Sequence, residues 1–364
     1  MRRWGWLVAM GALLALVASG VPGSAGLAAP VAGVSASGAA APAPQVPVLP
    51  ERTRVSYGGP AGVAFAVYIG LEQGYFAEAN IDVDLENVDV AAITPNVATG
   101  QLDVGHGPSS PGLFNALSRG LPIRAILDGS HLVPNGRSHA IVARQELYDS
   151  GQVRGMEGLR GRRVALNSLS GANTIELDLA LRRVGLTLDD VETVQIPFVD
   201  QAVALSNGSV DAALTLEPFI GRLVERGVAQ PIRYVNQDYP DHQVSFPMIG
   251  PRLIERPDVT RAFAVAYLRA ARDYERARQY GENVEQVAAA LAKYTRQEPA
   301  QVAAAFRDGG MTGIDPNGRI NVESLQFDVE WYREHGLAER ELNAASFVDP
   351  QYADYAVGVL GPFR

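Results

Sequence analysis

GSVDAALTLEP runs from Gly208 to Pro218, and GQLDVGHGPSS runs from Gly100 to Ser110. Each opens on a glycine, passes through a polar and an apolar residue to an aspartate, and continues as a short apolar run that breaks into small and polar residues. The two stretches lie 108 residues apart at the glycine and again 108 apart at the aspartate. In both places an apolar-periodic segment precedes the glycine and reads as a helix closed by it, and the run after the aspartate reads as a buried parallel strand. The aspartate itself is expected to face solvent or to cap the strand entrance.

The neighbourhoods agree as well, and agreement of whole units separates a repeat from a chance match. Before Gly100 come a strand at RVSYGG (Arg54 to Gly59), a helix from Ala64 to Phe76, an alternating strand at DVDLENV (Asp82 to Val88) and a helix from Ile93 to Thr99. A helix from Ser110 to Ser118 and a strand at IRAILDG follow. Before Gly208 come a strand at RVALNS, a helix from Asn173 to Gly185, a strand at VETVQIP and a helix at DQAVALSNG. Both stretches are thus the third strand of a strand–helix–strand–helix–strand unit. The extended segments Ser138 to Leu147 and Gln243 to Gly250 bracket the second unit, after which helices are expected at 257–280, 284–294, 299–306 and 321–335. The fold class is therefore α/β: two lobes joined by a two-strand hinge, with a helical C-terminal third packed on lobe 1. Lobe 1 is discontinuous, 52–140 plus 246–364, and lobe 2 is 141–245.

Composition supports a globular chain. Its 364 residues are 47% hydrophobic and 20% charged, enough for two domains. A net charge of −9 with no Lys/Arg cluster excludes nucleic acid and anionic lipid as partners. The chain has no cysteine, which excludes disulfides, thiolate chemistry and the lipidated cysteine of a bacterial lipoprotein. Lys293 is the sole lysine.

Arg2 and Arg3, an apolar run from Trp4 to Val17 and small residues from Gly23 to Ala29 make residues 1–29 a signal peptide for export, expected to be cleaved. The run to Val21 also reaches the length of an uncleaved anchor. Residues 30–51, rich in Ala and Pro, read as a disordered tether, with folding from Arg52.

GGPAGVAFAVYIGLEQGYFAEANIDVDL, NVATGQLDVGHGPSS, GLRGRRVALNSLSGANT and ALSNGSVDAALTLEP, with the helical C-terminal third, resemble the SsuA/THI5-like (NMT1) solute-binding proteins of ABC importers for nitrate, sulfonates and thiamine-type pyrimidine precursors. The resemblance covers Arg54 to about His335. It implies a type II periplasmic binding fold that closes on its solute and hands it to a permease and its ATPase in the inner membrane. The family's lipid-bearing cysteine is missing here, which implies a free or signal-anchored periplasmic protein. A monomer is expected.

In open α/β sheets ligands bind beyond the carboxyl ends of the strands, where helix N-termini converge. At that position in lobe 1, Gly59, Pro60 and Ala61 either let the backbone approach a ligand or form a plain tight turn. His106, Gly107, Pro108, Ser109 and Ser110 follow the third strand, and the two hydroxyls cap the next helix, bind a ligand oxygen, or do both. Ser168, Ser170, Gly171, Ala172 and Asn173 are the corresponding element of lobe 2. Glu217 ends a strand expected to be buried and so needs a partner: a ligand amine, Arg222 or a backbone cap. Asp128 holds the equivalent place in lobe 1, with His131 close behind, and either binds ligand or caps a turn.

No metal is expected, since the five histidines show neither HxH nor HExxH spacing. The nucleophile-elbow phrase GxSxG is absent. The chain is thus expected to be a receptor rather than an enzyme, without a cofactor. Its solute would be an aminosulfonate, a sulfonate or an aminopyrimidine-like compound, because helix N-termini suit an oxyanion and Glu217 and Asp128 suit an amine. Two alternatives stay open. One is an enzyme of thiamine-pyrimidine synthesis on the same fold, which needs a lysine-bound cofactor although Lys293 lies far from every pocket segment. The other is a sensor subunit without transport.

Overall fold

The computed structural model describes residues 46–169 and 171–363. The expected signal peptide, most of the tether and Ser170 lie outside the described residues. The chain first lays down β1 (Thr53–Gly59), β2 (Ile81–Asn87), β3 (Val104–Gly107), β4 (Arg124–Ala125) and β5 (Ser130–His131). It crosses to a second sheet of β6 (His139–Arg144), β7 (Arg163–Leu166), β8 (Glu192–Gln195), β9 (Ala212–Leu216) and β10 (Ala229–Tyr234), and returns as β11 (Gln243–Ile249).

The sheets have matching orders, β2-β1-β3-β11-β4 and β8-β7-β9-β6-β10. In each, three parallel strands are followed by an antiparallel strand that carries the chain between sheets, β11 beside β3 and β6 beside β9. The duplication extends to the two aspartates. Asp103 Oδ2 accepts from the Ser56 amide at 2.9 Å, and Asp211 Oδ2 accepts from the Arg163 amide at 3.0 Å. Each ties the third strand of its sheet to the first, and each lies beside an arginine, Arg252 at 3.3 Å and Arg144 at 3.7 Å. They are mostly buried rather than facing solvent, because the strand amide they satisfy lies inside. The glycines behave as expected, with Gly100 at φ +74° and Gly208 at φ +73° closing the preceding helices in the left-handed region.

Alternating side chains send each strand into two cores. Val164 and Leu166 pack on one face of the second sheet and Ala165 on the other. In the first sheet Ile249 joins the core built with helices Phe65–Glu72 and Pro257–Tyr280, and Met248 the core built with Pro111–Ser118 and Val322–Glu334. The helical C-terminal third thus packs on both faces of the first sheet.

Several local expectations differ from the structure. IRAILDG is not one strand: Arg124–Ala125 and Ser130–His131 pair separately with β11, with Asp128 turned into the interior between them. Gln145–Asp149 is a short helix rather than extended chain. β10 escapes a periodicity reading because Pro231 sits at a register shift on an edge strand, where proline is tolerated. Packing begins before Arg52, since Leu49 is buried and its amide donates to the Ala79 carbonyl at 3.1 Å.

Candidate functional site

Between the two sheets lies a narrow cleft. The first sheet and its helices bring Pro60, Phe65, Val90, His106 and Thr312, and the second brings Asn167, Ala172, Asn173, Phe198 and Leu216. The crossing strands supply His139 from β6 and Val244 and Ser245 from β11. Four helices open here, since Phe65, Val90, Ala172 and Phe198 are each the first residue of one. At three of them the N-cap residue, Ala64, Gly171 or Pro197, supplies no capping side chain. Partly positive helix ends therefore converge on a mostly apolar space. Among the described residues no Asp, Glu, Lys or Arg lines it.

Two buried histidines reach the cleft from different elements. His106 Nδ1 lies 2.6 Å from the Tyr57 hydroxyl, and among the described residues its Nε2 has no partner. Burial pushes the imidazole down to about 4 against the opposing pull of Asp128, so His106 is neutral near pH 7. His139 Nδ1 lies 3.0 Å from Glu176 Oε2, and its Nε2 is likewise without a partner among the described residues. Glu176 is fully buried at a hub: Asn173 donates to it at 2.9 Å and His242 Nδ1 approaches it at 2.9 Å. Burial alone would raise the Glu176 carboxyl, but His139 and His242 hold it well below its ordinary value. His242 Nε2 lies 3.5 Å from Asp328, which also accepts from Tyr239 at 2.9 Å and from the Ser109 hydroxyl. A polar network thus runs from the cleft at His139 through the crossing strands to the helix Val322–Glu334.

The sequence-derived candidates divide. Pro60, His106, Gly107, Pro108, Ala172 and Asn173 line the cleft. Gly171 stands opposite Pro108, so that an added Cβ would come 3.3 Å from the Pro108 ring. Gly59 presses on the His106 backbone in the adjacent strand, and the Ala61 amide is taken by Asn87 Oδ1 at 3.1 Å. Ser110 caps its helix by accepting from the Leu113 amide at 3.2 Å, Ser109 serves Asp328, and Ser168 is buried beside the cleft-lining loop. Asp128 is fully buried with protein partners: His131 Nδ1, Gln243 Nε2 and the Asp315 amide, each at 2.6 Å. Glu217 lines a separate, open hollow with Arg137, Tyr234 and Asp308. There burial outweighs the Gly221 amide it accepts and, with Asp308, pushes it up to about 7.

Sequence reading passed over Phe65, Val90, Phe198, Leu216 and Thr312 as lining residues, and treated His139 only as a failed metal ligand. His139 and Phe198 had a signal, since one opens a crossing strand and the other a helix following a strand. Thr312 had none, because only the tertiary fold brings a loop 173 residues after His139 to the same space.

Known proteins share this fold. The periplasmic nitrate-binding protein NrtA from Synechocystis PCC 6803 superposes with a TM-score of 0.70 at 14% identity, covering 86% of this chain and 90% of its own. The alkanesulfonate-binding protein SsuA from Xanthomonas axonopodis pv. citri, solved with MOPS, gives 0.66 at 13%, covering 83% and 100%. The desulfurization enzyme DSZB, solved as a cysteine-to-serine mutant with biphenyl-2-sulfinic acid, gives 0.57 at 17%, covering 84% and 99%. At such identities the likeness establishes the fold, that of periplasmic binding proteins. In sequence, a Haemophilus influenzae protein carrying a thiamine biosynthesis name is 26% identical over 152 residues, 41% of this chain. The match spans 44% of that relative's length. The NMT1/THI5-like family matches residues 63–275, more than half of the chain. With its duplicated sheets and shared cleft, this chain belongs to the NMT1/THI5-like family.

Proposed function

We propose that the chain is the extracytoplasmic solute-binding component of an ABC importer, closing on a small organic solute and delivering it to a permease. One arrangement carries the proposal: both sheets and both crossing strands contribute to a single cleft, so a solute there touches both lobes and favours their closure. Apolar walls suit an organic body, and the helix N-termini at Phe65 and Ala172, whose N-cap residues supply no side-chain cap, suit acceptor atoms on its head. A sulfonate fits both features. An amine arm finds no carboxylate among the described lining residues, since Asp128 and Glu217 lie elsewhere.

The test is a melting-temperature panel of nitrate, taurine, alkanesulfonates, aminopyrimidines and flavins. A ligand at a hundredfold excess over its Kd stabilises by about 2.7 kcal/mol, so one class should stand out. No response from any of them would overturn the proposal.

The second reading, an enzyme of thiamine-pyrimidine synthesis, draws on the name of the Haemophilus relative. Lys293, the only lysine, pairs with Glu72 on the surface and does not line the cleft. That leaves no amine for a lysine-bound cofactor. Turnover of any compound that binds would restore it.

A further inference from the structure

Three side chains that line the cleft carry a buried polar atom without a partner among the described residues: Nε2 of His106 on β3, Nε2 of His139 on β6 and Oγ1 of Thr312. Of the three, His106 is the one whose hydrogen the surrounding structure places. Its Nδ1 lies 2.6 Å from the hydroxyl of Tyr57, which is buried with only 1% of its surface exposed. Burial pushes that phenol well above its ordinary value, so the oxygen keeps its hydrogen. Among the described residues the hydroxyl has no partner other than Nδ1, and a buried O–H left without an acceptor is costly. The phenol therefore donates and Nδ1 accepts. A neutral imidazole carries a single hydrogen, which leaves it on Nε2. The ring is also held in place. A Cβ added to Gly129 would come 2.8 Å from His106 Cε1, and one added to Gly59 would come 2.5 Å from the His106 carbonyl oxygen, so main chain closes on both the ring edge and the backbone behind it.

We infer, resting on the solute-binding reading above, that Tyr57 locks His106 as a permanent hydrogen-bond donor in this cleft, and that the solute meets Nε2–H with an acceptor on its head. Tyr57 is a positioning residue: it acts through the imidazole and does not itself line the cleft. The Thr312 hydroxyl can turn to donate as well, and the helix N-terminus at Phe65 is a further source of donors. The recognised class is therefore an organic solute whose head is made of acceptors, such as sulfonyl, carboxylate or carbonyl oxygens. A head that offers only N–H groups sets hydrogen against hydrogen at His106 and is rejected. An aminosulfonate would be read through its sulfonate end.

Long-range proton–nitrogen NMR correlation on isotopically labelled protein reads which imidazole nitrogen carries the hydrogen, with the His106 signals assigned by their loss in His106→Gln. The expected form has Nε2–H and a bare Nδ1, and Tyr57→Phe should admit the Nδ1–H form. Titration calorimetry near pH 7 then compares benzenesulfonate, whose head only accepts, with benzylamine, whose head is protonated there and only donates. Benzenesulfonate should bind about tenfold or more tightly and move the His106 Nε2–H resonance. Tyr57→Phe should weaken it about threefold to tenfold and leave benzylamine unchanged, a selective loss that general destabilisation does not produce. Hydrogen on Nδ1 in the wild type, equal affinity for the two probes, or no binding of either would each overturn the proposal. The wild-type tautomer and affinities decide even if a variant does not fold. Binding of another solute from the wider panel while both probes fail would overturn the donor assignment and leave the receptor intact. Failure of every solute in that panel would remove both.

Discussion

His242 Nδ1 lies 2.9 Å from Glu176 Oε1 with both side chains fully buried, and that contact joins the helix Ala172–Arg182 to the residue immediately before β11, the strand that returns the chain to the first sheet. Burial works against a charged His242, but Asp328 and Glu176 outweigh it and raise its pKa from 6.5 to about 9. A base with a raised folded value stabilises the fold fully below 6.5 and loses that contribution as pH rises through about 9. Chemical denaturation should therefore show stability declining across that window. His242→Gln should flatten the decline and, by leaving a buried carboxylate short of its cation, lower stability at pH 7 by about 3 kcal/mol. An unchanged slope in the variant would mean that His242 is neutral in the fold.

His106 works in the opposite direction. Its folded value near 4 means that the neutral form is the one the fold accepts, so its contribution is present above 6.5 and lost as pH falls through about 4. The same denaturation series extended to low pH should show a second decline there. His106→Gln should reduce it, because Gln offers hydrogen bonds to Tyr57 without acquiring a charge.

Asp103 and Asp211 make the same bond in the two sheets, and their replacement should have the same consequence. Asp103→Ala leaves the Ser56 amide and hydroxyl without their acceptor, and Asp211→Ala does so for the Arg163 amide. Each should lower the denaturant midpoint by an amount equivalent to about 1–3 kcal/mol, the cost of an unsatisfied buried donor. Each aspartate also lies within ion-pair distance of an arginine, Arg252 or Arg144, but those pairs are partly exposed and contribute little. If only one substitution destabilises, the repeat has kept its geometry and lost the equivalence of its parts.

These aspartates show what a sequence can carry. The duplication was legible because a helix-closing glycine, an aspartate at a fixed offset and an apolar run are local signals that recur together. Pro108, just ahead of the helix Pro111–Ser118, and Ala172 and Asn173, which open the helix Ala172–Arg182, were legible for the same reason. Asp128 and Glu217 looked alike in sequence, each a carboxylate after a strand, and they separated only in three dimensions. Asp128 is sealed by Gln243 and Asp315 from more than a hundred residues away, and Glu217 faces a hollow closed by the helix Pro299–Arg307. Thr312 and His139 meet in the cleft through long-range packing that no periodicity encodes.

Glu217 itself gives a direct test of that separation. Its value of about 7 means that the protonated form is favoured in the fold, so stability declines as pH rises from 4.5 through about 7. Glu217→Gln should remove this decline and make the protein more stable than wild type near pH 8. Solute affinity should be unchanged, because among the described residues the cleft and the Glu217 hollow share no lining residue. A large loss of affinity in this variant would return Glu217 to the binding site.

Gly59 links stability to the cleft by its backbone. A Cβ at this position would come 2.5 Å from the His106 carbonyl oxygen, a contact with main chain that cannot rotate away. Gly59→Ala therefore has to push β1 and β3 apart at the place where His106 hangs from β3. The strain should cost about 1–3 kcal/mol, read as a lower melting temperature. It should also weaken binding of any solute that the His106 ring contacts, because that ring is held to Tyr57 on β1 by a 2.6 Å bond that the separation stretches. A lower melting temperature with unchanged solute affinity would show that His106 stands outside the contact surface of the cleft.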